Sequence, residues 1–242
     1  MSSKYYDVIQ GETTPPVHDW RFGDALSPYL DTGSGTAQNL VKFHGSTGGA
    51  PLVATDPDND CAISSGGGAA RKQGTGLLAD LAPAAVGSLE ILFNADSTVV
   101  GSNLIAGYQL DASNYYQLRI ITPGDLLDAT WVVGGVQSHR VSAFSIRLGS
   151  TYHAVATFNG SAVSLYINGL ESGAASGVAG SVMVDDWLTV GSTGGAGSSY
   201  AGRVDEWSIW SQQLTSAQAL AHYRAAAIKN HTWSSVPGMG IN

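Results

Sequence analysis

Apolar and polar residues alternate with a period of two through much of this chain, most sharply between residues 152 and 169. Tyr152, Ala154, Ala156 and Phe158 fall on one side of an extended segment, with His153, Val155 and Thr157 on the other. After Asn159-Gly160, a second segment sets Val163, Leu165 and Ile167 against Ser164, Tyr166 and Asn168, then meets another Asn-Gly at Asn168-Gly169. Successive side chains of a strand point to opposite faces, and Asn-Gly accepts the positive φ that a tight hairpin needs. Antiparallel strands are therefore predicted on either side of these turns. Both faces are partly apolar, as in one layer of a sandwich.

Further strands are predicted at residues 17–22, 40–43, 88–94, 103–110, 115–122, 129–133, 142–148, 187–190 and 203–210, with Gly and Pro clusters between them. The stretch 45–80 shows no period that places an element. One helix is predicted from Thr215 to about Lys229, because Thr215 and Gln218 have capping-box spacing. Leu214, Ala217, Leu220, Ala221 and Arg224 would form its docking stripe. Residues 1–16 read as an extended arm ending at Pro15-Pro16, with Tyr5, Tyr6, Val8 and Ile9 giving it an apolar side suited to docking. The pattern therefore predicts an all-β chain: an antiparallel β-sandwich over residues 17–229 with one short C-terminal helix, the arm before it and an irregular tail over 230–242.

Composition narrows the partners. Charged residues make up 12% of the chain, against about 25% in an average soluble domain, and 31 glycines suit short strands joined by many turns. The net charge of −8 and the scattering of the 11 basic residues, of which only Arg71 and Lys72 are adjacent, argue against nucleic acid. No run approaches the roughly 18 apolar residues of a spanning helix, so no membrane insertion is expected. Cys61 is the single cysteine, which excludes an intrachain disulfide and a cysteine zinc site. The first residues lack the apolar segment of a secretory signal, and with the lone cysteine this suggests folding in a reducing cytoplasm.

Several segments, taken in order, resemble laminin-G-like domains of the concanavalin A-like lectin/glucanase group. They are Tyr152-His-Ala-Val-Ala-Thr-Phe-Asn-Gly160, Leu165-Tyr-Ile-Asn-Gly169, Leu188-Thr-Val-Gly191, Ala201-Gly-Arg-Val-Asp-Glu-Trp-Ser-Ile-Trp210 and the Leu214-Thr215 helix start. Tyr152 stands where such domains usually carry Trp. More loosely, His18-Asp-Trp-Arg-Phe22 and Asp31-Thr-Gly-Ser-Gly35 are similar to the opening strand and Asp-rich loop. The resemblance implies a concanavalin A-like jelly roll.

Glucanases of this group cleave polysaccharides with carboxylates spaced Glu-x-Asp-x-(x)-Glu on one strand. The four glutamates here, Glu12, Glu90, Glu171 and Glu206, are never within five residues of one another, so no catalytic residue is assigned and a non-enzyme is expected. Asp205 and Glu206, adjacent on a strand, should face opposite sides, and Asp205 reads as a structural acceptor for a neighbouring turn.

Asp56, Asp58 and Asp60 form the densest oxygen cluster and suit Ca²⁺, although Cys61 and Gly67 stand where an EF-hand needs Gly and Glu, and a solvated acidic turn fits them as well. Asp31 joins them as a metal candidate because laminin-G-like domains often bind calcium at a rim loop. Tyr115-Tyr116 puts one ring on each face of its strand, and Tyr200 follows a Gly/Ser-rich loop. These three are the candidate sugar-stacking residues, the remaining large aromatics being assigned to the core.

The function expected is a non-catalytic virion surface protein, a phage capsid decoration or tail component. Such a protein would dock to other virion proteins, or to a second copy, through its N-terminal arm and adhere to surface glycans. It would be made in the host cytoplasm and reach the virion surface. The alternatives are a carbohydrate-binding module of a secreted bacterial protein, hence extracellular, and a polysaccharide hydrolase or lyase.

Overall fold

Hairpin geometry follows from the residues that can adopt positive φ. Asn168 and Gly169 have φ of 53° and 77°, and Ile167 pairs with Leu170 across them, giving a two-residue turn. Gly134 and Gly135, at 57° and 79°, do the same between Val133 and Val136. Asn159-Gly160 behaves differently. Phe158 pairs with Val163, so the loop has four residues, and the Asn159 side chain closes it by accepting the backbone N–H groups of Ser161 and Ala162.

The computed structural model describes residues 4–22, 28–42, 48–49, 52–53, 61–65, 70–73, 86–96, 103–173, 187–191 and 200–226. The chain begins with helix α1 (Lys4–Gln10), then β1 (His18–Trp20), β2 (Val41–Lys42), β3 (Gly48–Gly49), β4 (Cys61–Ser65) and β5 (Ala70–Gln73). Longer strands follow: β6 (Gly87–Ala95), β7 (Asn103–Asp111), β8 (Asn114–Ile121), β9 (Leu126–Val133), β10 (Val136–Ser145) and β11 (Thr151–Phe158). The last elements are β12 (Val163–Ile167), β13 (Leu170–Ser172), β14 (Trp187–Val190), β15 (Ala201–Trp210) and α2 (Ser216–Ala226).

They form two antiparallel sheets packed as a sandwich. One runs β13-β12-β11-β6-β15-β4-β3 with β1 added on β15, and the other runs β10-β9-β8-β7-β14-β5-β2. The inner faces share one apolar cluster that includes Trp20, Phe93, Tyr108, Trp131, Phe158, Leu165, Leu188 and Trp207. A second apolar cluster lies on the outer face of the eight-stranded sheet, where Leu92, Val155 and Trp210 meet Tyr5 and Ile9 of α1 and Ala219, Ala225 and Ala226 of α2.

Two expectations change here. The N-terminal arm is helical: Tyr5 and Ile9, four residues apart, share one helix face, and that face is fully buried on this chain's own sheet. The capping box of α2 is present, with Gln218 Oε1 accepting from the Thr215 N–H at 2.9 Å and Thr215 Oγ1 accepting from the Gln218 N–H at 3.3 Å. Its buried stripe is Ala219, His222, Ala225 and Ala226, not the one predicted, because His222 is drawn inward by a charged partner. Parts of the 45–80 stretch do form strands, β3, β4 and β5. The predicted tail 230–242 lies outside the described residues.

Candidate functional site: the polar face of the seven-stranded sheet

The two outer faces solve the same burial problem with different chemistry. On the eight-stranded sheet, apolar side chains are covered by α1 and α2. On the seven-stranded sheet the inward residues of β8 and β9, Tyr116, Leu118, Ile120, Leu127, Ala129 and Trp131, belong to the core. Period-two alternation turns Tyr115, Gln117, Arg119, Asp128, Thr130 and Val132 outward. Registry across the sheet aligns Arg71 of β5, Thr189 of β14, Gly107 of β7, Gln117 of β8, Thr130 of β9 and His139 of β10 in a single row. Five strand spacings make that row about 24 Å long, and Gly107 leaves its middle without a side chain.

Beside the row, Arg119 Nε lies 2.8 Å from Asp128 Oδ2, and Thr130 Oγ1 donates to the same oxygen at 3.0 Å. His139 Nδ1 stands 3.5 Å from Asp128 Oδ1, and neither atom makes a hydrogen bond. Gln109, the register partner of Tyr115, also has a buried side-chain oxygen without a hydrogen-bond partner. Burial raises the Tyr115 phenol above its ordinary range, with Arg119 pulling it down and Asp128 up. It is therefore a neutral O–H donor at physiological pH. Gln109, Tyr115, Gln117, Arg119, Asp128, Thr130 and Thr189 are all no more than 3% exposed. Polar groups at that depth are expensive to bury, and residues that break the apolar rule cluster at functional sites.

The eight-stranded sheet has a buried polar centre of another kind. Glu90 of β6 accepts the Tyr5 O–H at 2.8 Å and meets His153 Nε2 at 2.7 Å and His222 Nδ1 at 3.0 Å. His222 Nε2 lies 3.1 Å from Glu12 Oε1. This network ties α1, the sheet and α2 together and has its partners inside the chain. Nearby, Asp205 Oδ2 accepts the Leu52 N–H at 3.0 Å, the structural role expected of it. The expectation that Asp205 and Glu206 point to opposite sides fails, because β15 bulges there. Val204 and Trp207 both enter the core, the register shifts between Asp205 and Ser208, and Glu206 has φ of 48°.

Of the residues singled out from sequence, Tyr115 lies on the polar face. Tyr116 is in the core, its ring stacked 4.7 Å from Trp131, and Tyr200 is buried with its hydroxyl donating to the Arg203 carbonyl. Tyr115 is buried as well, at 3% exposed, so none of the three offers an open ring to a sugar, which corrects their assignment. Asp31 is also corrected. Its two oxygens accept the backbone N–H groups of Asp19, Gly33 and Gln38 and contact His18 Nδ1 at 2.6 Å, so the carboxylate organises its own loop. Asp56, Asp58 and Asp60 lie outside the described residues, among which no group of three or more His, Cys, Asp or Glu could hold a metal. The sequence reading passed over Gln117, Arg119, Asp128, Thr130 and His139, although polar residues recur at period two from 115 to 119 and from 128 to 130.

A sequence profile of the laminin G type, described as the concanavalin A-like lectin/glucanases superfamily, matches residues 79–219. The chain belongs to that superfamily. No curated protein matches it in sequence. Among solved structures, this member of the superfamily is similar to domain 4 of AbnA, an extracellular GH43 arabinanase of Geobacillus stearothermophilus, in complex with arabinotriose. The TM-score is 0.64 at 13% identity, over 88% of this chain and all of that one. It is also similar to the binding domain of botulinum neurotoxin serotype D, with TM-score 0.63 and 13% identity over 90% of this chain and 52% of that one. A third neighbour is Trypanosoma rangeli sialidase, with TM-score 0.56 and 17% identity over 86% of this chain and 32% of that one. At these identities the likeness shows the lectin-like sandwich fold.

Proposed function

We propose that this chain is a non-catalytic glycan-binding domain whose binding surface is the polar outer face of the seven-stranded sheet. The observation that carries the reading is the cross-strand row from Arg71 to His139, which sets Arg71, Thr189, Gln117, Thr130 and His139 side by side on the outer face, half-buried at the two ends and buried between them. Such side chains match the hydroxyls of a sugar chain lying across the strands, with Gly107 giving it room to approach. The arabinotriose-bound arabinanase domain, whose whole length this chain overlays, supports the same ligand class. A glycosidase places two carboxyl groups about 5 to 9.5 Å apart, whereas Asp128 is the one carboxylate among the outward residues named above and is already paired with Arg119.

The virion role expected from sequence rested on the absence of a secretory signal, the lone cysteine and an N-terminal arm suited to docking. With Tyr5 and Ile9 buried against this chain's own sheet, the arm no longer supports it, and glycan binding becomes the leading reading. A glycan array probed with the intact chain, followed by titration calorimetry on any hit, tests it. Binding should weaken roughly tenfold or more in Gln117→Leu, which removes two hydrogen-bonding groups at the centre of the row. Absence of binding to every arrayed glycan would remove the reading.

A further inference from the structure

His222 of α2 stands between two carboxylates. Its Nδ1 lies 3.0 and 3.1 Å from the two oxygens of Glu90, and its Nε2 lies 3.1 Å from Oε1 of Glu12, two residues beyond α1. An ionised carboxylate accepts hydrogen bonds and cannot donate one, so both ring nitrogens must carry a proton for both contacts to form. His153 is the contrast on the same acceptor. Its Nε2 meets Glu90 Oε1 at 2.7 Å and its Nδ1 has no hydrogen-bond partner, so one proton satisfies it. The groups around His222 favour the second proton there. Glu90 and Glu12 outweigh the burial that opposes the charge and lift the imidazole to about 9. Tyr5 of α1 donates to Glu90, Tyr223 of α2 packs against His153, and Trp210 of β15 stacks on the His222 ring. Asp19 and Glu206 act on the Tyr5 phenol from farther along the sheet, where Arg21 faces Glu206, and Arg224 of α2 is exposed.

The two carboxylates are unequal. Glu90 is fully buried, whereas the Glu12 side chain is 20% exposed and can exchange the imidazole for water. A ring with a single proton therefore keeps it on Nδ1, because a buried acceptor stripped of its donor costs more than an exposed one. Nε2 then turns a lone pair towards Glu12. The inner core draws none of its described residues from either helix, so a helix can loosen without opening the sandwich. We infer that His222 is a doubly protonated clasp, tying α2 to the sheet through Glu90 and to α1 through Glu12. At alkaline pH it releases Glu12 first and loosens α1 from the outer face that Tyr5 and Ile9 cover.

Nitrogen-15 NMR of the imidazole and hydrogen exchange of the intact chain test this. At pH 7 both His222 nitrogens should carry protons, and Nε2 should lose its own near pH 9. The α1 amides from Val8 to Gly11, corrected for intrinsic rate, should lose roughly tenfold to a hundredfold in protection between pH 7 and pH 10, the worth of one charge-assisted hydrogen bond. Strand β8 should stay better protected than α1 throughout. Glu12→Gln offers an amide that can accept from Nε2–H or donate to bare Nε2, so it should remove the fall in α1. Asp205→Asn should leave that fall in place, although Asp205 itself titrates at about 8. A His222 ring with one proton at pH 7 overturns the clasp. Equal protection of α1 and β8 at pH 10 would mean that the chain opens as one unit, which overturns selective release. A fall that survives Glu12→Gln, or disappears in Asp205→Asn, assigns it to other groups and overturns the role of Glu12.

Discussion

Glu90 is fully buried and holds three partners at once, Tyr5 from α1, His153 from β11 and His222 from α2. A charge in that position is tolerable only while its counter-charge is present. Glu90→Gln leaves a buried His222 facing an amide, and should lower unfolding stability by about 3–5 kcal/mol. Tyr5→Phe removes one hydrogen bond to a charged acceptor and should cost about 1.5–3 kcal/mol. Urea denaturation of the two variants ranks them, and equal losses would mean that the ion pair contributes no more than the phenol. Nothing local in the sequence announces this centre, because Tyr5, Glu90, His153 and His222 are spread over more than 200 positions. The polar face was closer to legible. Alternation through 115–119 already separates Tyr115 from Tyr116, but it cannot say which of the two rings enters the core. That depends on the opposite sheet, where Phe158 stacks on Trp131 and Trp131 on Tyr116. Tyr200 was misjudged for a related reason. A glycine-rich loop before an aromatic suggests a rim, but the ring, one residue before β15, turns inward against Phe93.

At the level of elements, turns and long strands were readable because both rest on local chemistry. The strand predicted over 187–190 is β14 itself, and the final strand starts two residues earlier than expected. Gly169 shows why the Asn-Gly signal is so firm. Its φ of 77° disfavours any side chain, and an added Cβ would come within 2.9 Å of the Leu220 backbone in α2. Gly169→Ala should therefore destabilise by about 2 kcal/mol or more, since strain and collision act together. Gly134 has a similar φ of 57° with open space around it, so Gly134→Ala isolates the strain and should lose about 1 kcal/mol. Thermal melts of the pair separate the two effects, and identical losses would show that α2 yields without resistance. What local pattern could not supply was α1 and the true stripe of α2. A seven-residue helix is too short to reveal a period, and the inward face of α2 is chosen by Glu90, more than a hundred residues away.

Four fully buried acids, Asp19, Glu90, Asp205 and Glu206, belong to strands of the eight-stranded sheet, where His222 faces Glu90 and Arg21 faces Glu206. Burial raises Asp19 to about 6 and Asp205 to about 8, and burial together with Asp205 holds Glu206 well above its ordinary range. Burial opposes the charge on His222, but Glu90 and Glu12 outweigh it and lift the imidazole to about 9. Glu90 goes the other way. Burial would raise it, yet His222 and His153 hold it below the usual carboxylate range. A group raised in the folded state contributes stability that is complete below its unfolded pKa and lost as pH rises through the folded value. That loss falls between 3.8 and about 6 for Asp19, between 3.8 and about 8 for Asp205, and between 6.5 and about 9 for His222. Glu90 contributes above its ordinary value of 4.5 and loses that contribution as pH falls below it. His222 and Glu90 describe one ion pair from its two sides, so their effect counts once. Stability should peak on the acid side of neutrality and decline from pH 6.5 to 9, the His222 pair alone accounting for on the order of 3 kcal/mol, or roughly 10 °C in Tm. Asp205→Asn should flatten the part of that decline below pH 8, since the amide has no proton to lose. A Tm that is level or rising between pH 6.5 and 9 would show that these groups do not titrate as buried groups must.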